Sequence, residues 1–170
     1  MMKIINSKMA VFAILMFVMS RTYVDPIRRF SVEADYPSSW CVFPFIMCSF
    51  TYLIMFWFGI IYVNSDVPFM QHVNMYHAIR AGRQRWALGQ IGGIFIRSMV
   101  LVVLTVICTI LPLMPDIEWS NEWGKLLRTA GMTNALTRFD SSVVIYYEIF
   151  SEFTPVQLMG LEILLCVFIC

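Results

Sequence analysis

Charge is what this chain has least of. Aspartate, glutamate, lysine and arginine together make up 14% of its 170 residues, while 59% are hydrophobic. An ordinary soluble domain carries about a quarter charged residues. A water-soluble fold needs a polar skin over its core, and the apolar runs here are too long and unbroken to leave one. Histidine is also scarce: His72 and His77 are the only two, five positions apart. That spacing misses the i, i+4 register that sets two ligands on one helix face, so no metal site is expected. No phosphate loop of the form G-x-x-x-x-G-K-[ST] occurs. The only Gly-Lys pair, Gly124 and Lys125, is followed by Leu126, so ATP hydrolysis by that route is excluded. The five cysteines, Cys41, Cys48, Cys108, Cys166 and Cys170, form no C-x-x-C pair and lie in apolar runs, where a free thiol acts as a small hydrophobe. No catalytic residue and no cofactor is expected. The basic residues are few and form no broad positive face, so nucleic acid is not an expected partner.

What the chain has in excess is long apolar sequence. Trp40 to Val63 runs for 24 residues without a formal charge, and about twenty helical residues cross the hydrocarbon of a bilayer. Pro44 falls in its first turns, where a missing amide hydrogen matters little. A second span is predicted over 90–113, closed by Pro112 and Pro115. A first span over 4–20 centres on MAVFAILMFVM and lets Lys8 snorkel to the interface. A signal peptide competes for that segment, but SRTYVD offers no small-x-small cleavage site. At the other end, 155–170 reads as the opening of a fourth span. Thr154 and Gln157 are spaced as a capping box and Pro155 suits the first helical position. The run ends in mid-span, which suggests a longer parent chain. The expected fold is all-α: a polytopic helical membrane protein with three transmembrane helices plus a partial fourth, in one domain over 1–170.

Orientation rests on where the positive charges lie. Taking the spans in order, one side carries Lys3, Lys8 and the cluster Arg80, Arg83 and Arg85, opposed by Asp66 alone. The other side carries 20–39, where Arg21, Arg28 and Arg29 are balanced by acids, and the acidic loop 114–153. By raw count of Lys and Arg the two sides hold five and six, and the tight cluster beside the third span tips the balance, placing the amino terminus in the cytoplasm. Arg85 and Trp86 then anchor the inner interface. Within the long loop, Ser120 can cap a helix carrying Trp123, Leu126 and Leu127 on one face. SSVVIYYEIF suits a strand or another helix equally.

Between the second and third spans lies SDVPFMQHVNMYHAIRAG, with Phe69, Val73 and Tyr76 on one helical face. Asp66 before Pro68 makes a start and Gly82 a stop, giving a short amphipathic helix over 66–82 along the inner membrane surface. The order of elements, with Pro68, Phe69, Tyr76, Arg80, Arg83, Arg85 and Trp86 as the matching residues, resembles the membrane permease subunits of type 2 ATP-binding-cassette exporters, especially small ones from Gram-positive bacteria. The resemblance covers about the first 115 residues. It implies a coupling helix in which Phe69, Tyr76, Arg80 and Arg83 dock on a separate ATP-binding subunit. It also implies a second permease chain, the same or related, and residence in the plasma membrane. Such permeases usually have six spans, which this chain does not show.

Two intramembrane polar residues stand out. Arg97 lies two turns inside the third span and can snorkel back, and Glu162 lies about two turns inside the fourth. An ionisable group at that depth is a functional candidate. A non-transporting multi-span protein, such as an immunity or assembly factor, is the rival expectation. Association with an ATP-binding subunit separates the two.

Overall fold

The computed structural model describes residues 7–65, 82–133, 135–139 and 143–169. The chain is mostly helical. Helix α1 (Ser7–Ala34) is followed by a two-residue strand β1 (Ser38–Ser39), a short helix α2 (Phe43–Met47) and α3 (Phe50–Asn64). Then come α4 (Arg83–Ile110), a 3-10 turn (Leu111–Leu113), β2 (Ile117–Glu118), α5 (Lys125–Thr133), a second 3-10 turn (Ala135–Phe139), α6 (Ile149–Glu152) and α7 (Pro155–Ile169). The predicted surface helix over 66–82, with Phe69, Tyr76 and Arg80, lies outside the described residues except for its last position.

Helix α1 is built from an apolar run with no glycine, and it buries Met9, Phe12, Met16, Ser20, Val24, Ile27 and Ser31. Those residues recur every three or four positions, which is one face of a helix. That face packs on α3 and α4. Helix α3 presents Tyr52, Phe56, Ile60 and Val63 in the same rhythm. Gly59 is needed at the crossing, because a Cβ there would fall on the Phe12 ring. Small residues let helix backbones approach in this way.

Beyond the helix ends, aromatic residues weld the connecting segments together. Trp40 stacks on Trp119 at 6.3 Å and 14° between planes, and its indole N–H donates to the Ser120 carbonyl at 2.9 Å. Trp123 meets Phe150 at 4.8 Å and Phe45 at 5.9 Å, and donates to the Phe153 carbonyl at 2.7 Å. Strands β1 and β2 pair in parallel, Ser38 with Ile117 and Ser39 with Glu118. The cap therefore ties residues 36–45 to 116–153.

Two helices, Ser7–Ala34 and Gln84–Leu113, are long and apolar enough to cross a bilayer, and only 28% and 33% of their apolar windows are buried. Their outward faces carry Ile14, Val18, Ile91, Ile96 and Ile107, all more than half exposed. An apolar face of that size calls for something other than water against it.

The structure corrects the sequence reading at several places. The segment 20–34, expected as the start of an outer loop, continues α1 through Pro26. Its Ser20, Val24, Ile27 and Ser31 stay buried in the helical rhythm, and Arg29 pairs with Asp25 at 2.7 Å. Such packing holds a helix across one missing backbone hydrogen bond. The run 40–63 is not one continuous helix. It breaks between α2 and α3, where Ser49 is extended (φ −73°, ψ 121°). Hydropathy cannot register such a break, because both sides are equally apolar. Helices α3 and α7 are 15 residues each, about 22 Å long, shorter than a bilayer's hydrocarbon core of about 30 Å. Ser120 does not cap α5. It lies five residues ahead of the helix and its hydroxyl donates to the Glu122 carbonyl. At SSVVIYYEIF the described residues form no strand: 143–146 are irregular, with Val143 and Ile145 buried alternately with exposed Val144 and Tyr146, and the short helix α6 begins at Ile149.

Candidate functional site

Of the candidate residues, Arg83, Arg85, Trp86 and Arg97 lie on α4 and Glu162 on α7, while Phe69, Tyr76 and Arg80 lie outside the described residues. Helix α4 starts from Gly82, whose φ of 82° lies where L side chains are strained, and whose carbonyl accepts from the Trp86 amide at 3.1 Å. Glycine serves here because it pays no Cβ penalty. Arg85 is exposed and Trp86 half-buried on the first turns. Arg83 opens the helix. Arg97, further along, is half-buried, and it forms no ion pair with Glu162 among the described residues.

Past Arg97 the inward face of α4 carries three hydroxyls among the apolar Leu101, Val102 and Cys108. Ser98, Thr105 and Thr109 are each at most 1% exposed. Thr105 donates to the Leu101 carbonyl at 2.9 Å and Thr109 to the Val106 carbonyl at 2.7 Å, so both hydroxyls are satisfied within the helix. The Ser98 hydroxyl has no partner among the described residues. On neighbouring helices the hydroxyls of Ser20 and Tyr52 lie 2.8 Å apart, both fully buried, with Tyr23 edge-on to Tyr52 at 5.5 Å. These few hydroxyls sit within a core that is otherwise apolar.

Glu162 is half-buried on α7 and accepts from the Cys166 thiol, 3.7 Å from its Oε1. Cys48, at the break between α2 and α3, lies within its electrostatic reach. Helix α2 packs on α7, and the Cys41 thiol donates to the Pro155 carbonyl at 3.2 Å. The start of α7 is fixed by its capping box: the Thr154 amide donates to Gln157 Oε1 at 3.1 Å and the Gln157 amide to Thr154 Oγ1 at 3.4 Å.

The structure thus joins Arg85, Trp86 and Arg97 on one helix and sets Glu162 apart on another. The buried Ser20–Tyr52 pair was not singled out from sequence. A serine directly before an arginine reads as a helix end, and only the continuation of α1 places it inside. Among the described residues no group of histidine, cysteine and carboxylate side chains is arranged to hold a metal ion. No protein-family model, curated protein or solved structure matches the chain.

Proposed function

We propose that this chain is the membrane permease subunit of an ATP-binding-cassette exporter, driven by a separate ATP-binding subunit. The observation that carries the reading is the division of α4. Its first four turns or so carry Arg85 and Trp86 and bury no described side chain from Gly82 to Arg97, while its remainder is packed against α1, α3 and α7. A helix held at one end and free at the other is a lever. The segment just ahead of its free end holds Phe69, Tyr76 and Arg80, which together with Arg83 at the start of the helix make the proposed docking surface.

On this reading α1 and α4 cross the plasma membrane, with the broken pair α2–α3 as a further span and α7 as a partial fourth. The amino terminus and the arginine turn are cytoplasmic, and the aromatic cap is outside. Arginines at the inner headgroups gain about 1 kcal/mol each from anionic lipid. Lipid would cover the exposed apolar faces of α1 and α4. Two copies, or two related chains, would enclose a path, and movement of the surface segment would reach the hydroxyl-bearing face of α4 as a rigid-body displacement.

The test is association. Tagged chain purified from its native membrane should bring with it a subunit bearing a phosphate loop, together with ATP hydrolysis. Phe69→Ala with Arg80→Ala should abolish that association without preventing insertion. Undiminished association of the double variant would sink the docking surface. Labelling of Arg83→Cys from outside intact cells would invert the topology and remove the exporter reading with it.

A further inference from the structure

The other arginines of α1 form a site of their own. A cleft of about 210 Å³ opens between α1 and the turn that ends α4. Arg21, Asp25 and Arg28 line it together with Leu111, Pro112 and Met114, and Phe17 and Val24 complete an apolar wall. Asp25 is already engaged, since its Oδ2 accepts from Arg29 at 2.7 Å. Arg21 and Arg28 have no ion-pair partner among the described residues, although both face the same cleft.

Arg21 and Arg28 are seven positions apart, two helical turns or about 10 Å of rise along one face. Lower on that face, away from the charges, stand Ile14 (66% exposed), Phe17 (37%) and Val18 (56%), with Ile107 (51%) and Leu111 (48%) presented by α4 and the turn that follows it. Cationic above and apolar below is the complement of an amphiphile with an anionic head. Two like charges turned toward one cleft at the edge of a low-dielectric layer repel each other, and an anion between them removes that repulsion. Guanidinium groups suit a phosphodiester in particular, because their donors match its oxygens two at a time.

We propose that this cleft binds an anionic phospholipid, with its phosphate between Arg21 and Arg28 and its acyl chains along Ile14, Phe17 and Ile107. The assignment rests on the bilayer-spanning reading of α1 and α4 but not on the exporter reading. A chain stripped from membranes by alkaline carbonate would remove the spanning reading itself, which is a separate result from those below.

The full chain, purified in detergent and incubated with mixed phosphatidylglycerol and phosphatidylcholine vesicles, should retain phosphatidylglycerol selectively when bound lipid is counted by native mass spectrometry. Arg21→Gln with Arg28→Gln should lower that retention about tenfold, the loss of charge-assisted hydrogen bonds from two donors. Arg21→Lys with Arg28→Lys should keep an intermediate level, and Lys125→Gln, distant from the cleft, should change nothing. The thermal midpoint of each variant reports its folding, and the lysine pair supplies the comparison should the glutamine pair not fold. Equal retention of the two lipids, or full retention by either double variant, would overturn the proposal. Displacement of lipid by millimolar inorganic phosphate would overturn it too, by making this a site for the free anion.

Discussion

From Ser98 to Thr109 helix α4 buries Ser98, Leu101, Val102, Thr105, Cys108 and Thr109, whereas from Gly82 to Arg97 the same helix buries no described side chain. Composition already separates the two: Gly82 to Arg97 carries three arginines and four glycines, and Ser98 to Thr109 carries neither. Their neighbours differ as well. Helix α4 packs on α1, α2, α3 and α7, and its fully buried side chains all lie in the second stretch, while the described side chains of the first are at most half-buried. Among the described residues, the packing is therefore concentrated at one end, and the end bearing Arg85 and Trp86 buries no side chain. Each variant below probes that contrast, by loosening the packed end or by asking whether the open end belongs to the same cooperative unit.

The largest effect should come from Trp123→Ala. Its ring is 6% exposed, packs on Phe150 and Phe45, and ties the Phe153 carbonyl to the cap. Truncation should cost about 3–5 kcal/mol, read as a lowered unfolding midpoint in detergent. Gly59→Ala comes next. A methyl group there meets the Phe12 ring and must push α1 and α3 apart, at about 1–3 kcal/mol. A neutral outcome would mean that α1 can shift, so that even the packed end is less rigid than the contrast requires.

Tyr52→Phe should cost somewhat less. It keeps the ring against Tyr23 but leaves the Ser20 hydroxyl buried and unpaired. Hydrogen bonds of this kind are worth about 0.6–2 kcal/mol, lower on average inside membranes than in soluble cores. Ser20→Ala in the Tyr52→Phe background should then add almost nothing, because the pair acts as a unit. Full additivity would show that the two hydroxyls do not bond, and that the seam is held by apolar contact alone.

How much of this was legible beforehand differs by element. The start of α7 was fully readable, since Thr154, Pro155 and Gln157 act locally and their hydrogen bonds form as the spacing predicts. The long apolar helix ending near Pro112 was readable for the same reason: length, hydropathy and proline are local signals. What escaped was non-local. The continuation of α1 depends on Ser20, Val24 and Ile27 finding α4 and neighbouring elements. The break at Ser49 depends on α2 packing against α7. For the site, Arg85, Trp86, Arg97 and Glu162 were visible as charged or aromatic residues in unusual company. The Arg21–Arg28 cleft was not, because it needs the helix to continue beyond the apolar run and the turn at Leu111–Leu113 to fold beside it.

The smallest effect is the most discriminating. Gly82 has φ 82° and nothing within 4 Å of where a Cβ would stand, so Gly82→Ala introduces conformational strain and no clash, locally about 1–2 kcal/mol. If the first stretch of α4 is open, its first turn can fray to relieve that strain, since no described side chain from Gly82 to Arg97 leaves a core when it does. The global midpoint should then move by no more than about 0.5 kcal/mol, the range of a substitution away from packed features. Hydrogen exchange at the Trp86 amide, which donates to the Gly82 carbonyl, should quicken by about tenfold, as expected for a local opening made about 1.4 kcal/mol easier. A global loss as large as the local strain would tie Gly82 to the packed end through contacts that the described residues do not make, and the lever would become a strut.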